Sequence, residues 1–378
     1  LTAVRIAFMH RRLSGGGTEG DLRRVAAGLA ARGHEVHAFV ARADAEIPAV
    51  HVRRVPIVRG GRVARLLSFA WLAPRAVARE RFDVVVGFGR TVRQDVVRVG
   101  GGTHRTYLAR MEAAGLRRAR RGPYHRAILA LERRAFAPGR AARVLAVSER
   151  VADEVRADYG VPAARIAVVY NGVDLVRFDP ARRSVLGPPL RAALGVPAGA
   201  RVCVAIGTGF FRKGFDLLLA LWRETAPRDA VLLVVGDDER LAAWRRDAAA
   251  LGGRAILTGP RADVEAVLAA ADVACVPSRQ EAFGNVVLEA CAAGVPPVVS
   301  AWAGAAELLA DGPLAPLVVD DPADRTALGA ALDRALGAGG AGYGRAARAL
   351  AERHPWDAHL DRVEALLAQV AGEVRRAR

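Results

Sequence analysis

Short apolar runs alternate with amphipathic helix-like segments along almost the whole of this chain, and that alternation restricts the fold more than any other feature. In the first half, Arg5 to Met9, Glu35 to Val40, Asp83 to Phe88, Asp95 to Val99, Arg143 to Val147 and Ile166 to Val169 have the length and composition of strands. Helix patterns cover Thr18 to Arg32 and Val63 to Arg79. Strands joined through helices rather than tight turns run parallel, and a parallel sheet needs helices on both faces. The stretch from Tyr170 to Pro180 breaks the rhythm with turn-forming residues, and a polar segment through Pro188 and Pro189 follows. An interdomain crossing is expected there. A second cycle opens at Val202 to Ile206 and continues through Phe215 to Trp222, Ala230 to Val235, Leu241 to Leu251, Ala255 to Leu257, Val264 to Ala270, Val273 to Val276, Val286 to Ala293 and Pro297 to Val299.

The expected architecture is therefore α/β, with two doubly wound, Rossmann-like domains over residues 1–172 and 173–355, facing across a cleft. The segment from Pro322 onward is helical in pattern, and its last helix, over 356–378, is expected to pack back on the first domain. Ligands of such sheets bind beyond the carboxyl ends of the strands. A chain of 378 residues, 52% of them hydrophobic, has enough apolar material for two cores, which excludes a disordered chain.

The formal net charge of +17 calls for an anionic partner. Nucleic acid, an anionic membrane surface and a phosphate-bearing substrate all fit that total. Cys203, Cys275 and Cys291 are far apart, and each sits in an apolar run, so they read as core residues of a reducing compartment without disulfide or metal spacing. No apolar stretch approaches the length of a membrane span. A soluble, cytoplasmic protein is expected.

Lys213 is the only lysine among 56 basic side chains. It lies in Gly207-Thr208-Gly209-Phe210-Phe211-Arg212-Lys213-Gly214, between an expected strand and an expected helix, where a phosphate would sit. A compact ammonium on a flexible stem reaches a single phosphate oxygen where a wide guanidinium fork does not fit. After the expected strand Val273 to Val276, a loop carries Glu281, a helix begins near Gly284 or Asn285, and Glu289 follows within it. Amides of Phe283, Gly284 and Asn285 at that helix start could donate to sugar hydroxyls or a diphosphate, while the two carboxylates accept from hydroxyls. The combination suits a nucleotide sugar. Near the N-terminus, Gly15-Gly16-Gly17 opens a helix after the first strand, which serves a ligand's approach or a turn equally well.

Together, Glu281-x7-Glu289, Arg212-Lys213-Gly214, the Asn171-Gly172-Val173-Asp174 crossing and the glycine loop resemble the retaining glycosyltransferases of family 4, which have the two-domain GT-B fold. The order Gly16 to Asp21, the segment Val84 to Phe88 and the Phe-Arg-Lys-Gly loop are most similar to the lipopolysaccharide core glucosyltransferases that add glucose to heptose. The resemblance implies that Arg212 and Lys213 bind the donor diphosphate and neutralise the leaving group in place of a metal. It implies further that Glu289 holds the ribose, that Glu281 lies near the donor sugar, and that the amides of Ala282, Phe283, Gly284 and Asn285 hold its hydroxyls. Gly16 and Gly17 would close on phosphate or acceptor, and the loop carrying Arg261 would meet the base. His104, in a glycine-rich loop, is a candidate polar group beside the donor sugar, although a structural role suits it as well. The implied reaction moves a hexose, glucose from UDP-glucose, to a lipid-linked or saccharide acceptor such as lipopolysaccharide core, with no cofactor beyond the nucleotide sugar.

Arg110, Arg117, Arg118, Arg120, Arg121, Arg126, Arg133 and Arg134 crowd one amphipathic stretch. Either a solvated face or a surface that docks on anionic lipid at the inner face of the cell membrane, through Arg117 to Arg126, accounts for them. Two other functions compete: a GT-B nucleotide-sugar epimerase, which needs more acid and base residues than the few histidines supply, and a non-enzymatic nucleic-acid-binding protein. The scattered aromatics speak against the second, so no nucleic acid is expected.

Overall fold

The computed structural model describes residues 3–13, 17–44, 46–116, 122–225, 227 and 229–377. They divide by contact into two units, Leu1–Tyr170 with Asp357–Arg378, and Asn171–Trp356. The first contains β1 (Arg5–Met9), β2 (Arg12–Leu13), α1 (Gly17–Ala31), β3 (Glu35–Val40), β4 (Arg42–Ala43), β5 (Val50–Arg54), α2 (Arg62–Val77), β6 (Val84–Gly87), β7 (Val96–Val99), α3 (His104–Ala113), α4 (Pro123–Phe136), β8 (Arg143–Ala146), α5 (Glu149–Tyr159) and β9 (Ile166–Val168). A seven-stranded sheet forms in the order β5-β3-β1-β6-β7-β8-β9, and β2 pairs with β4 apart from it. The order reverses between β1 and β6, so the crevice of this unit opens where the loops after those two strands diverge.

The second unit holds α6 (Arg183–Ala193), β10 (Arg201–Ile206), α7 (Phe215–Glu224), β11 (Ala230–Val235), α8 (Leu241–Ala249), β12 (Ala255–Gly259), α9 (Val264–Ala269), β13 (Val273–Val276), α10 (Asn285–Ala292), β14 (Pro297–Ser300), β15 (Val318–Val319), α11 (Arg325–Leu336) and α12 (Gly340–Glu352). Its six strands run in the order β12-β11-β10-β13-β14-β15. Here the reversal falls between β10 and β13, the strands that precede the Lys213 and Glu281 loops. The strands are apolar on both faces, as helix-covered parallel strands are: all six residues of β11 are buried. Trp222 of α7 is fully buried and donates its indole N–H to the Ala230 carbonyl at 3.1 Å, so the largest side chain of this core leaves no polar atom unpaired.

The last helix, α13 (Trp356–Ala377), packs within the first unit. Gly28 of α1 makes room for it, since a Cβ there would lie 2.5 Å from the Leu360 side chain. Glu364 then accepts from Arg32 at 2.6 Å and from the His34 imidazole at 2.9 Å, and Arg143 reaches Glu373 at 2.7 Å.

Two elements depart from the sequence expectation. Val50–Arg54 is a strand although it carries two arginines and a histidine, because it lies at the sheet edge with one flank toward solvent. The segment through Pro188 and Pro189, expected as a linker, is helix α6. Tertiary contacts override the prolines: Arg191 binds Asp272 at 2.7 Å, and Gly187 lies so near α9 that a Cβ would be 2.6 Å from the Ala269 carbonyl oxygen.

The α10–α12 contact depends on a comparable approach. A Cβ on Gly344 would stand 2.6 Å from the Gly294 carbonyl oxygen, a backbone atom that cannot rotate away. Gly344→Ala is expected to lower stability by about 1–3 kcal/mol, read as a fall in Tm. An unchanged Tm would show that the two elements have slack.

Candidate active site

In the second unit, Arg212 and Lys213 come from the loop after β10, and Glu281 comes from the loop after β13. The structure brings them onto one oxygen: Glu281 Oε2 is 2.5 Å from Lys213 Nζ and 2.9 Å from Arg212 Nη1. Lys213 is buried, 8% exposed. Burial pushes its ammonium pKa down, Glu281 opposes the shift, and the Arg212 charge adds to it. For Glu281, burial alone would raise the pKa, but Lys213 and then Arg212 draw it down to about 2, so the carboxylate is ionised at neutral pH.

The backbone explains how two loops can meet so closely. Gly214 has φ +75°, and a Cβ on it would fall 2.1 Å from the Pro277 carbonyl oxygen. Gly236 has φ +141°, with the Gly207 carbonyl oxygen 1.7 Å from where a Cβ would be. Only glycine fits either place. Arg279, which the sequence reading did not single out, straps the two loops together. Its Nη1 and Nη2 bond the two carboxylate oxygens of Asp216 at 2.6 Å each, Nη1 also reaches the Phe211 carbonyl at 2.6 Å, and the guanidinium lies 4.2 Å from the Phe211 ring centroid. An arginine one residue beyond a strand-ending Pro-Ser is visible in the sequence, but its partner sixty-three positions away is not.

Helix α10 starts at Asn285 behind Gly284, which has φ +97° and provides no side-chain cap. The Asn285 side chain is engaged, accepting from Asn171 Nδ2 at 2.7 Å. Ala282, Phe283 and Gly284 are buried, while Glu289 is half-buried one turn into the helix, where its charge also acts on Lys213. Arg261 follows β12 on the same carboxyl edge of the sheet, and its guanidinium forms a paired contact with Asp263, Nε to Oδ1 at 2.9 Å and Nη2 to Oδ2 at 2.6 Å.

His104 and the glycine loop belong to the first unit. Gly16 lies outside the described residues. Gly17 begins α1, and a Cβ there would meet nothing within 4 Å, so crowding does not require glycine. A cavity of about 390 Å³ opens at the β1/β6 reversal, lined among others by His10, Gly17, Glu19, Arg90, Gly101 and Glu132. His104 is buried and turns aside from it, with its Nε2 2.9 Å from His125 Nδ1 and its backbone N–H donating to Glu132 at 3.0 Å. Burial, then the charge of Arg90, then His125 hold its imidazole near pKa 3, so the ring is neutral at physiological pH. Arg98 and Asp21, both buried, pair at 3.1 Å beneath the cavity.

The expected basic stretch falls partly outside the described residues, at 117–121. Where it is described, its amphipathic pattern is spent internally: Ile128 and Leu131 of α4 pack against Leu66 and Ala70 of α2, leaving Arg126 and Arg133 exposed. Among the described residues, no helix is long and apolar enough to cross a membrane.

The lowered pKa of Glu281 makes a prediction with a definite sign. Its contribution to stability is fully present above the ordinary value of 4.5 and is lost as pH falls through about 2. Glu281→Gln is expected to cost about 3 kcal/mol at pH 7, because it leaves a buried ammonium without its counter-charge, and to flatten the loss of stability below pH 4.5. Urea melts at pH 7 and pH 3 decide the matter, and equal melts for both proteins at pH 7 would refute the coupling.

A family model described as Glycosyltransferase Family 4 matches residues 15–177, and one described as Glycosyl transferases group 1 matches residues 200–337. The lipopolysaccharide glucosyltransferase WaaG of Escherichia coli is 28% identical over 85% of this chain and 86% of its own length. A probable transglycosylase of Burkholderia thailandensis, BTH_I0986, is 30% identical over 96% of each chain. Among solved structures, WaaG, a glycosyltransferase involved in lipopolysaccharide biosynthesis, superposes with a TM-score of 0.81 at 24% identity, covering 96% of this chain and 99% of that one. Anabaena HepE in complex with UDP-glucose does so with a TM-score of 0.74 at 20% identity, covering 97% and 100%. With both units matched by family models and a relative aligned from end to end, this chain belongs to the family 4 glycosyltransferases and has their GT-B fold.

Proposed function

We propose that the enzyme transfers glucose from UDP-glucose, with retention at the anomeric carbon, to a saccharide or lipid-linked acceptor of the lipopolysaccharide core type. The observation that carries this reading is the convergence of Arg212 and Lys213 on Glu281 at the β10/β13 switch point. A glycosidic bond to a diphosphate breaks with charge building on the leaving phosphate, and cations fixed in a buried site stabilise that charge without reorganising. Arg212 and Lys213 supply two such cations, so in this reading no metal is required for that task.

The diphosphate competes with Glu281 for the same cations. As it binds, the Glu281 carboxylate is relieved of its neutralising partners and turns to the donor sugar's hydroxyls, which the amides of Ala282 to Asn285 also hold. Glu289 takes the ribose, and Arg261 lines the approach of the base. On the first unit, the cavity beside Gly17 takes the acceptor. His104, buried and neutral, serves as a positioning residue through its contact with Glu132. The word glucosyltransferase in the name of WaaG and the UDP-glucose bound by HepE support this donor. Peripheral contact with anionic lipid, in this reading, is made by the arginines from Arg117 to Arg126, and by charge alone. The epimerase and nucleic-acid readings find no support among the relatives.

Thermal melts of the purified protein with UDP, GDP, ADP and their sugar conjugates test the donor. A ligand at about one hundred times its Kd stabilises by about 2.7 kcal/mol, and that gain is expected for UDP and UDP-glucose. Lys213→Ala should abolish it and cut turnover at least about a hundredfold. Turnover near the unsubstituted level in Lys213→Ala would overturn the phosphate assignment, and stabilisation by GDP or ADP instead would overturn the base.

A further inference from the structure

Glu35, His37 and His51 meet on the first unit. Glu35 opens β3 and His37 stands two residues on, so both point to the same face. His51 of the edge strand β5 is the register partner of His37, and the two rings lie 4.7 Å apart between centroids. One ligand-type atom from each of the three residues falls within 4.8 Å of the others. His37 is 2% exposed; its Nε2 is 2.7 Å from Glu35 Oε1, whereas its Nδ1 has no hydrogen-bond partner. A buried imidazole nitrogen without a partner is unusual, and it belongs to a residue of this cluster.

We propose that Glu35, His37 and His51 form a binding site for a divalent transition-metal ion of the zinc class. Two imidazoles and one carboxylate are a ligand set that favours such ions over magnesium or calcium, which prefer all-oxygen sites. The two strands are paired in register, which sets the three residues side by side before the ion arrives. Glu35 is at present shared with Arg5, whose Nε lies 2.8 Å from it. Arg5 can release it, since its remaining nitrogens keep Glu80 at 2.7 Å and the Arg81 carbonyl at 2.7 Å. Glu35 and His51 are exposed, which gives the ion an entry path and leaves room for water to complete the coordination.

The ion would clip the edge strand β5 to β3. It lies toward the amino end of β3, whereas the crevice of this unit opens at the carboxyl ends, so its role is structural.

The test is titration of the chelator-treated full chain with ZnCl2, followed by calorimetry and by Tm. Saturable binding of a single equivalent with a rise in Tm is expected, with no such response to MgCl2. His51→Ala, an exposed substitution that leaves the core intact, should remove the saturable binding while keeping the metal-free Tm. His125→Ala, which alters the other histidine pair, should retain it. Absence of saturable Zn²⁺ binding, or its persistence in His51→Ala, would overturn the proposal.

Discussion

Parallel pairing is the constraint on which everything else in this protein rests. Among the described residues, every strand pairing is parallel, in the two large sheets and in the small β2-β4 pair. Each strand must therefore be followed by a crossover, and all the loops that leave the strands' carboxyl ends gather along one edge. Residues remote in sequence then become neighbours by topology alone. Lys213 and Glu281 meet because β10 and β13 are adjacent while the chain departs from them in opposite directions. The same crowding demands residues without side chains where two loop backbones touch, and this is why Gly214 and Gly236 stand where they do.

The charge cluster at that edge is costly to assemble. Removing an ammonium and a carboxylate from water is repaid only by close geometry and further hydrogen bonds. Glu281 has both: two cations on one oxygen, and backbone bonds on either side, with its N–H to the Trp302 carbonyl and its carbonyl accepting from Gly304. Arg279 holds the two loops in register through Asp216, so the cluster does not depend on its own attraction for its shape. Such a framework holds the geometry of the cluster through contacts outside it.

The fold was legible in the sequence because strand length and crossover spacing are local patterns. Arg5–Met9, Glu35–Val40, Ala230–Val235 and Val273–Val276 appear with the bounds that apolar runs alone suggest. β5 and α6 were not legible, since an edge strand has little hydrophobic signal and a doubly proline-bearing helix is held by distant partners. Of the site, Lys213 and Glu281 stood out by rarity and by loop position. The pairs Arg279–Asp216, Asn171–Asn285 and Arg98–Asp21 did not, because each joins residues whose proximity only the sheet order creates.

The preference for arginine has a chemical corollary. A guanidinium does not deprotonate in proteins and does not react as an amine, so this chain carries a large positive charge with a single ε-amino group, at Lys213. That amine is buried against Glu281. Among the side chains, then, amine-directed chemistry has one address, and the loops that carry Arg212 and Glu281 cover it. The protein in effect carries its own reporter, in which acylation of one nitrogen records the exposure of the site rather than of the surface at large.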